Sequence, residues 1–226
     1  MTNYHVDFTN KTPQTWSMSV YQTLPDSIGL DSVSWKQTRV PTGGTSGVSW
    51  NVQYNVALAE YKQIGGIGVY KSNQLLEAAL GSVWDIVFED EVQQLKFSSA
   101  SGTPGQILIR NESNLTANAG IGMSGAGSVF KKNVLGGASA QFLVTPTYYV
   151  GIFNQLELGE VISSNVIVEP LEIKYPSGMN KATLTAYLDG QNIKLDLAYT
   201  NSISVAAHVV KRFIEMQPAR PAELAL

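Results

Sequence analysis

The sequence contains no cysteine and two histidines in 226 residues. Disulfides, thiolate zinc sites, iron–sulfur clusters and thiol nucleophiles are thereby excluded. Two imidazoles are too few for a three-histidine metal site. Fifteen basic residues against eighteen acidic ones give a net charge of −3, so there is no basic surplus to neutralise a nucleic-acid backbone. No run approaches the ~18 apolar residues that a membrane helix needs. Residues 1–9 also lack the basic and apolar regions of an export signal. These absences point to a cytoplasmic protein with neither nucleic acid nor a membrane as partner. A chain of this length buries roughly 70% of its unfolded surface without covalent staples.

What the sequence does contain is alternation. Tyr4, Val6 and Phe8 alternate with polar neighbours, as do Trp16, Met18 and Val20, and then Val48, Trp50, Val52 and Tyr54. Period two is the signature of strands with one buried face. Further strands are predicted at 83–88, 94–98, 106–110, 141–145, 148–153, 160–163 and 171–175. A hairpin is predicted at 181–188 and 191–199, turning at Asp189-Gly190. Val205, Val209, Phe213 and Met216 fall at helical spacing, which predicts a short C-terminal helix over 202–217. Residues 74–80 are a second, shorter helical candidate. The expected fold is all-β, an antiparallel two-sheet sandwich with one terminal helix. It is either a single domain over 1–226 or two intimately packed β halves with a seam near 112–127.

Several motif fragments fail on context. Gly120-Ile-Gly122-Met-Ser-Gly125 has the letters of a dinucleotide fingerprint but no helix to follow it. Gly122-Met-Ser124-Gly-Ala126 lacks the last glycine and the strand-to-helix turn of a nucleophile elbow, so Ser124 has no reason to meet His208. Lys71-Ser72 lacks the glycine a phosphate loop requires before its lysine. Glu89-Asp90-Glu91 reads as a solvated turn rather than a calcium loop, and His5 as a surface residue beside Asp7. The triplets Asn10-Lys11-Thr12, Asn111-Glu112-Ser113 and Asn114-Leu115-Thr116 read as chance glycosylation matches in turn-rich sequence.

Aromatic residues are the remaining chemistry. Trp16 and Trp50 sit in phase with core stripes. Trp35, flanked by Ser34 and Lys36, is the expected exposed aromatic, able to stack on a sugar ring. Tyr148 and Tyr149 straddle a strand, so one of them faces out, and Tyr149 is taken as the second ligand-binding residue. For a catalytic alternative, Glu157 and Glu160 bracket Leu158-Gly159 and form, with Tyr149, the candidate acid–base set.

The blocks Gly120-Ile-Gly-Met-Ser-Gly-Ala-Gly127, Phe142-Leu-Val-Thr-Pro-Thr-Tyr-Tyr149 and Phe153-Asn-Gln-Leu-Glu-Leu-Gly-Glu-Val161 resemble the rhizosphere-induced protein RhiA family of bacteria. Val48-Ser-Trp-Asn-Val-Gln-Tyr54, Ile173-Lys-Tyr-Pro176 and Ala182-Thr-Leu-Thr-Ala186 follow in the same order. The resemblance implies an abundant bacterial cytoplasmic protein. It carries over no activity, cofactor or site residue. The leading expectation is a non-catalytic β-sandwich that binds carbohydrate or a small molecule, or self-associates as a homo-oligomer, with neither cofactor nor metal. The alternative is a cofactor-independent enzyme using carboxylates and tyrosines between the sheets.

Overall fold

The computed structural model describes residues 3–25, 29–162 and 166–200. Its first strands are β1 (Asn3–Asn10), β2 (Trp16–Thr23), β3 (Leu30–Ser32), β4 (Lys36–Val40) and β5 (Thr45–Asn51). Then follow β6 (Tyr54–Ile64), β7 (Ile67–Glu77), β8 (Ser82–Glu89) and β9 (Val92–Ser99). The second half of the chain opens with β10 (Gln106–Asn111), β11 (Ala117–Met123), β12 (Ala126–Val134) and β13 (Ser139–Leu143). It closes with β14 (Thr147–Phe153), β15 (Leu171–Ile173), β16 (Lys181–Asp189) and β17 (Asn192–Thr200). No helix occurs among the described residues, so the all-β expectation holds there. The helix predicted over 202–217 lies outside them, as does His208.

These strands form four sheets among the described residues, not two. Their orders are β17-β16-β1-β5, β15-β14-β2-β4, β13-β10-β8-β9 and β3-β12-β11-β6-β7. Two pairings are parallel, β1 with β16 and β10 with β8, which corrects the expectation of a wholly antiparallel fold. Apolar faces of the first two sheets meet in one core around Phe8, Met18, Trp35 and Ile152. The other two share a second core around Trp84, Ile107, Ile109 and Phe142.

A duplication explains both the doubling and the parallel pairs. Asn10 and Asn111, 101 positions apart, are fully buried at the same turn. Asn10 Nδ2 donates to the Gln14 carbonyl at 2.7 Å, and its Oδ1 accepts from the Thr12 amide and hydroxyl at 3.0 and 2.8 Å. Asn111 repeats these bonds with Leu115 at 2.7 Å and with Ser113 at 3.1 and 2.6 Å. The next backbone bonds also recur: Lys11 N–H to Ala186 O matches Glu112 N–H to Ile86 O. Two supposed glycosylation triplets are therefore a structural device, a side-chain amide standing in for backbone at a strand-to-strand turn. The repeats are interleaved. β1, β2, β4 and β5 pack with β14–β17, and β10–β13 pack with β6–β9. Each parallel pair thus joins an early strand of one repeat to a late strand of the other.

Three further expectations change for identifiable reasons. The alternation from Val48 to Tyr54 spans two strands, because the chain leaves one sheet after Asn51 and enters another at Tyr54. Val52, at the crossing, is 41% exposed. Residues 74–80 form no helix; β7 runs to Glu77, and a bulge at Asn73 shifts the alternation that would have marked it as a strand. Residues 160 and 161 make isolated bridges to Val69 and Val33 rather than a strand.

The glycine-rich segment is the interior of the β6–β11–β12 sheet. A Cβ on Gly120 would lie 2.3 Å from the Phe130 ring, and one on Gly122 would lie 1.8 Å from the Ala126 carbonyl. Small residues are needed there for close approach.

Candidate functional site

The core between the β1 and β2 sheets ends in a cluster of aromatic rings. Register places Tyr4 of β1 directly across from Trp50 of β5. Tyr148 comes from β14, and Tyr175 from the turn just past β15. Tyr4 stacks on Trp50 at 6.0 Å between ring centres and meets Tyr175 at 4.9 Å. Tyr148 lies 5.6 Å from Trp50, and Trp35 braces Trp50 edge-on from below at 5.5 Å.

Above these rings opens a cleft of about 320 Å³, lined by Tyr4, Tyr148 and Tyr175 and bordered by Thr147, Glu172 and Lys174. Glu172 and Lys174 pair at 2.8 Å on the rim. The Tyr175 hydroxyl donates to the His5 carbonyl at 3.0 Å, which fixes its ring. Burial pushes the Tyr148 and Tyr175 phenols well above their usual range, with nearby tyrosines adding to the effect, so both stay uncharged. Trp50 is 2% exposed, and its indole N–H makes no hydrogen bond of good geometry, the Tyr148 phenol lying close enough for a weak one. A buried indole N–H ordinarily has a partner. Burial dominates the Tyr148 phenol, and the weak hydrogen bond from the Trp50 indole opposes it.

The duplication provides an internal comparison. The pair equivalent to Tyr4 and Trp50 is Gly105 and Val144, joined by a bond from Val144 N–H to Gly105 O at 2.9 Å. The equivalent of Tyr148 is Tyr54, since both precede by two the residue facing Val20 or Ile121. The same framework therefore closes without a Tyr–Trp pair in the other core. The frame alone does not demand the rings in the first.

A second concavity, about 800 Å³, is a groove bordered by Tyr61, Lys62, Gln74, Phe88, Val92 and Leu115. Lys132 lies 3.5 Å over the Tyr61 ring nearby.

On the outer face of the β1 sheet, His5 Nδ1 lies 2.6 Å from Ser49 Oγ, and its Nε2 lies 2.6 Å from Asp7 Oδ1. Lys181 Nζ holds the other Asp7 oxygen at 2.6 Å. Gly47 makes room, since a Cβ there would lie 2.9 Å from the His5 ring. The trio has the letters of a serine triad but the wrong attachment. Serine sits on Nδ1 and aspartate on Nε2, and the β1–β5 ladder engages the surrounding backbone, so no oxyanion donor is presented. Burial alone would raise the Asp7 carboxyl; hydrogen bonds and charge from Lys181 and His5 outweigh it and hold it low.

The residues singled out from sequence lie elsewhere. Trp35 is 1% exposed rather than a surface platform, and its Nε1 donates to the Met123 carbonyl at 3.0 Å. Its polar neighbours misled the reading because they too are engaged: Ser34 is buried against Ser19, and Lys36 reaches the Ser124 carbonyl. Tyr149 is half-buried, stacked on Tyr21 at 5.5 Å. Burial, with Tyr149 adding to it, pushes the Tyr21 phenol up to about 12. Glu160 is 4% exposed and accepts the Glu157 backbone N–H at 2.9 Å, while Glu157 itself is exposed. None of the four lines the aromatic cleft or the larger groove. Sequence reasoning missed Tyr4, Trp50 and Tyr175 as a group. The available signal was a Tyr and a Trp on two strands that pair, visible once register is known.

Comparison with known proteins comes to one family. The family model described as RhiA matches residues 1–197. Protein RhiA of Rhizobium leguminosarum bv. viciae is 24% identical over 188 residues, spanning 79% of this chain and 80% of that protein. No solved structure matches.

Proposed function

The chain belongs to the RhiA family, and we propose that it is a non-catalytic binding protein whose aromatic cleft takes a glycan or a sugar-like small molecule. In this reading the four sheets make two β-sandwiches, and the ligand sits where the first one opens. The observation that carries the proposal is a cleft walled by three tyrosines, Tyr4, Tyr148 and Tyr175, whose rings pack against the buried Trp50. Stiff aromatic faces pack against the C–H faces of a sugar ring, and a few fixed polar groups orient its hydroxyls. Thr147, Glu172, Lys174 and the uncharged phenols of Tyr148 and Tyr175 supply such groups. Glu157, Glu160 and Tyr149, on which an enzyme would draw, stand outside the cleft, which favours binding over catalysis.

The test is a glycan array with native protein, followed by titration of the best sugar monitored by tryptophan fluorescence. Tyr148→Phe keeps the ring and removes the hydroxyl of a cleft-lining residue, and is expected to weaken binding about tenfold, the effect of one lost hydrogen bond. Tyr4→Ala is expected to weaken it more, while Trp84→Phe, in the other core, leaves it unchanged. Absence of binding to every sugar, or equal binding by all three variants, removes the proposal.

A further inference from the structure

The two cores close differently along one side. In the second core, Gln74 of β7 bridges to the outer edge of β9. Its amide donates to the Gln93 carbonyl at 2.8 Å and accepts the Leu95 backbone N–H at 2.7 Å. The equivalent of β9 in the first core is β17, since Glu89 pairs with Val92 as Asp189 pairs with Asn192. β17 is the outer strand of its sheet, and β16 is its sole ladder partner among the described residues. Its nine residues pair with β16 without a register break and include no proline. Ile193, Leu195 and Leu197 point inward and are only half-buried. Lys194 and Asp196 are exposed on the other face, and neither forms an ion pair with a described residue. Bulges, prolines and inward-pointing charges are among the usual shields of an edge strand, and β17 has none of these three.

The geometry points to a second copy of this chain as the occupant of that edge, β17 pairing antiparallel with the partner's β17 about a two-fold axis at Leu195. This register sets Lys194 opposite the partner's Asp196 and Asp196 opposite the partner's Lys194, each contact occurring twice by symmetry. Ile193 meets the partner's Leu197, and Leu195 meets the partner's Leu195, which covers the half-exposed apolar row. Moving the axis one residue either way sets Lys194 against itself or Asp196 against itself, a like-charge contact that disfavours the slipped pairing. The product is a continuous eight-stranded sheet whose added bonds are backbone N–H to C=O, the chemistry of strand addition. This inference stands apart from the ligand cleft and uses none of its lining residues.

Sedimentation velocity of the full chain over a range of concentrations tests it, with circular dichroism confirming that each variant is folded. The native chain is expected to show a monomer–dimer equilibrium. Lys194→Asp and Asp196→Lys each turn two attractions into two repulsions and are expected to weaken the dimer about tenfold. The double swap, Lys194→Asp with Asp196→Lys, restores opposite charges in the same register and is expected to recover native affinity. A monomer at every concentration, a dimer indifferent to both single changes, or a double swap no better than either single change overturns the inference.

Discussion

Asn10 and Asn111 show how much structure one buried amide can organise. Each replaces backbone partners at a turn where the chain steps from one sheet to the next, and each is fully buried. Truncation leaves donors and acceptors stranded away from water, at roughly 1–3 kcal/mol per orphaned group. Asn111→Ala is therefore expected to lower stability by about 3 kcal/mol, read as a fall in the urea midpoint. Paired carboxylates give a second expectation. A hydrogen bond from Arg110 lowers the Asp85 carboxyl against the opposing effect of burial, and Lys181 and His5 lower that of Asp7. Both folded pKa values lie below the unfolded ones, so their contribution is complete above the unfolded value near 4 and is lost as pH falls through the folded values. The urea midpoint should thus drop as pH falls below about 4. Asp85→Asn should flatten that drop, and an unchanged slope would deny the Asp85–Arg110 pair this role.

Among the elements, hairpins carry the clearest sequence-to-structure links. The β8–β9 turn places Asp90 and Glu91 at φ 50° and 64°, where two-residue hairpin turns favour Asn-Gly. The strain is tolerated because the strands on both sides are firmly paired. Replacing Asp90-Glu91 by Asn-Gly is expected to stabilise the protein by about 1 kcal/mol in urea denaturation. The reverse case is Gly122 in β11, where no side chain fits. Gly122→Ala would drive a methyl into the Ala126 carbonyl, and a loss of at least about 2 kcal/mol is expected in the same assay. The β11–β12 hairpin also seals the crossing between sheets: Ser124, at its tip, bonds the Asn51 amide at 2.8 Å and the Gln53 carbonyl at 3.0 Å.

At the scale of the whole molecule, interleaving is the governing feature. β1 pairs with β16, β2 with β14, β6 with β11 and β8 with β10, so each core needs strands from both halves of the chain. Crossing is reinforced by exchanged side chains, with Leu24 reaching into the second core and Met123 into the first. A cut after residue 103 is expected to leave two fragments with no cooperative unfolding transition of their own. Mixing them in equal amounts is expected to restore it, read by circular dichroism in urea. A fragment that melts cooperatively alone would contradict the interleaved packing.

Local chemistry was legible in the sequence wherever one residue's neighbours along the chain decide its environment. Alternation in Tyr4–Phe8, Trp16–Val20 and 181–199 marked strands, because successive side chains leave a strand on opposite faces whatever lies beyond. The bulge at Asn73 and the crossing at Val52 hid the limits of β6 and β7, since each alters phase without altering composition. The duplication was nearly invisible: its surest trace was a pair of three-residue triplets, because the equivalent core positions hold Phe8 and Ile109, or Met18 and Ala119, and packing tolerates such exchanges. Which sheet each strand joins, and hence that Tyr4, Trp50, Tyr148 and Tyr175 converge, depends on contacts among residues up to 171 positions apart. Only the folded chain decides such contacts. Trp35 makes the same point in reverse, a tryptophan whose flanking Ser34 and Lys36 both found partners in the fold.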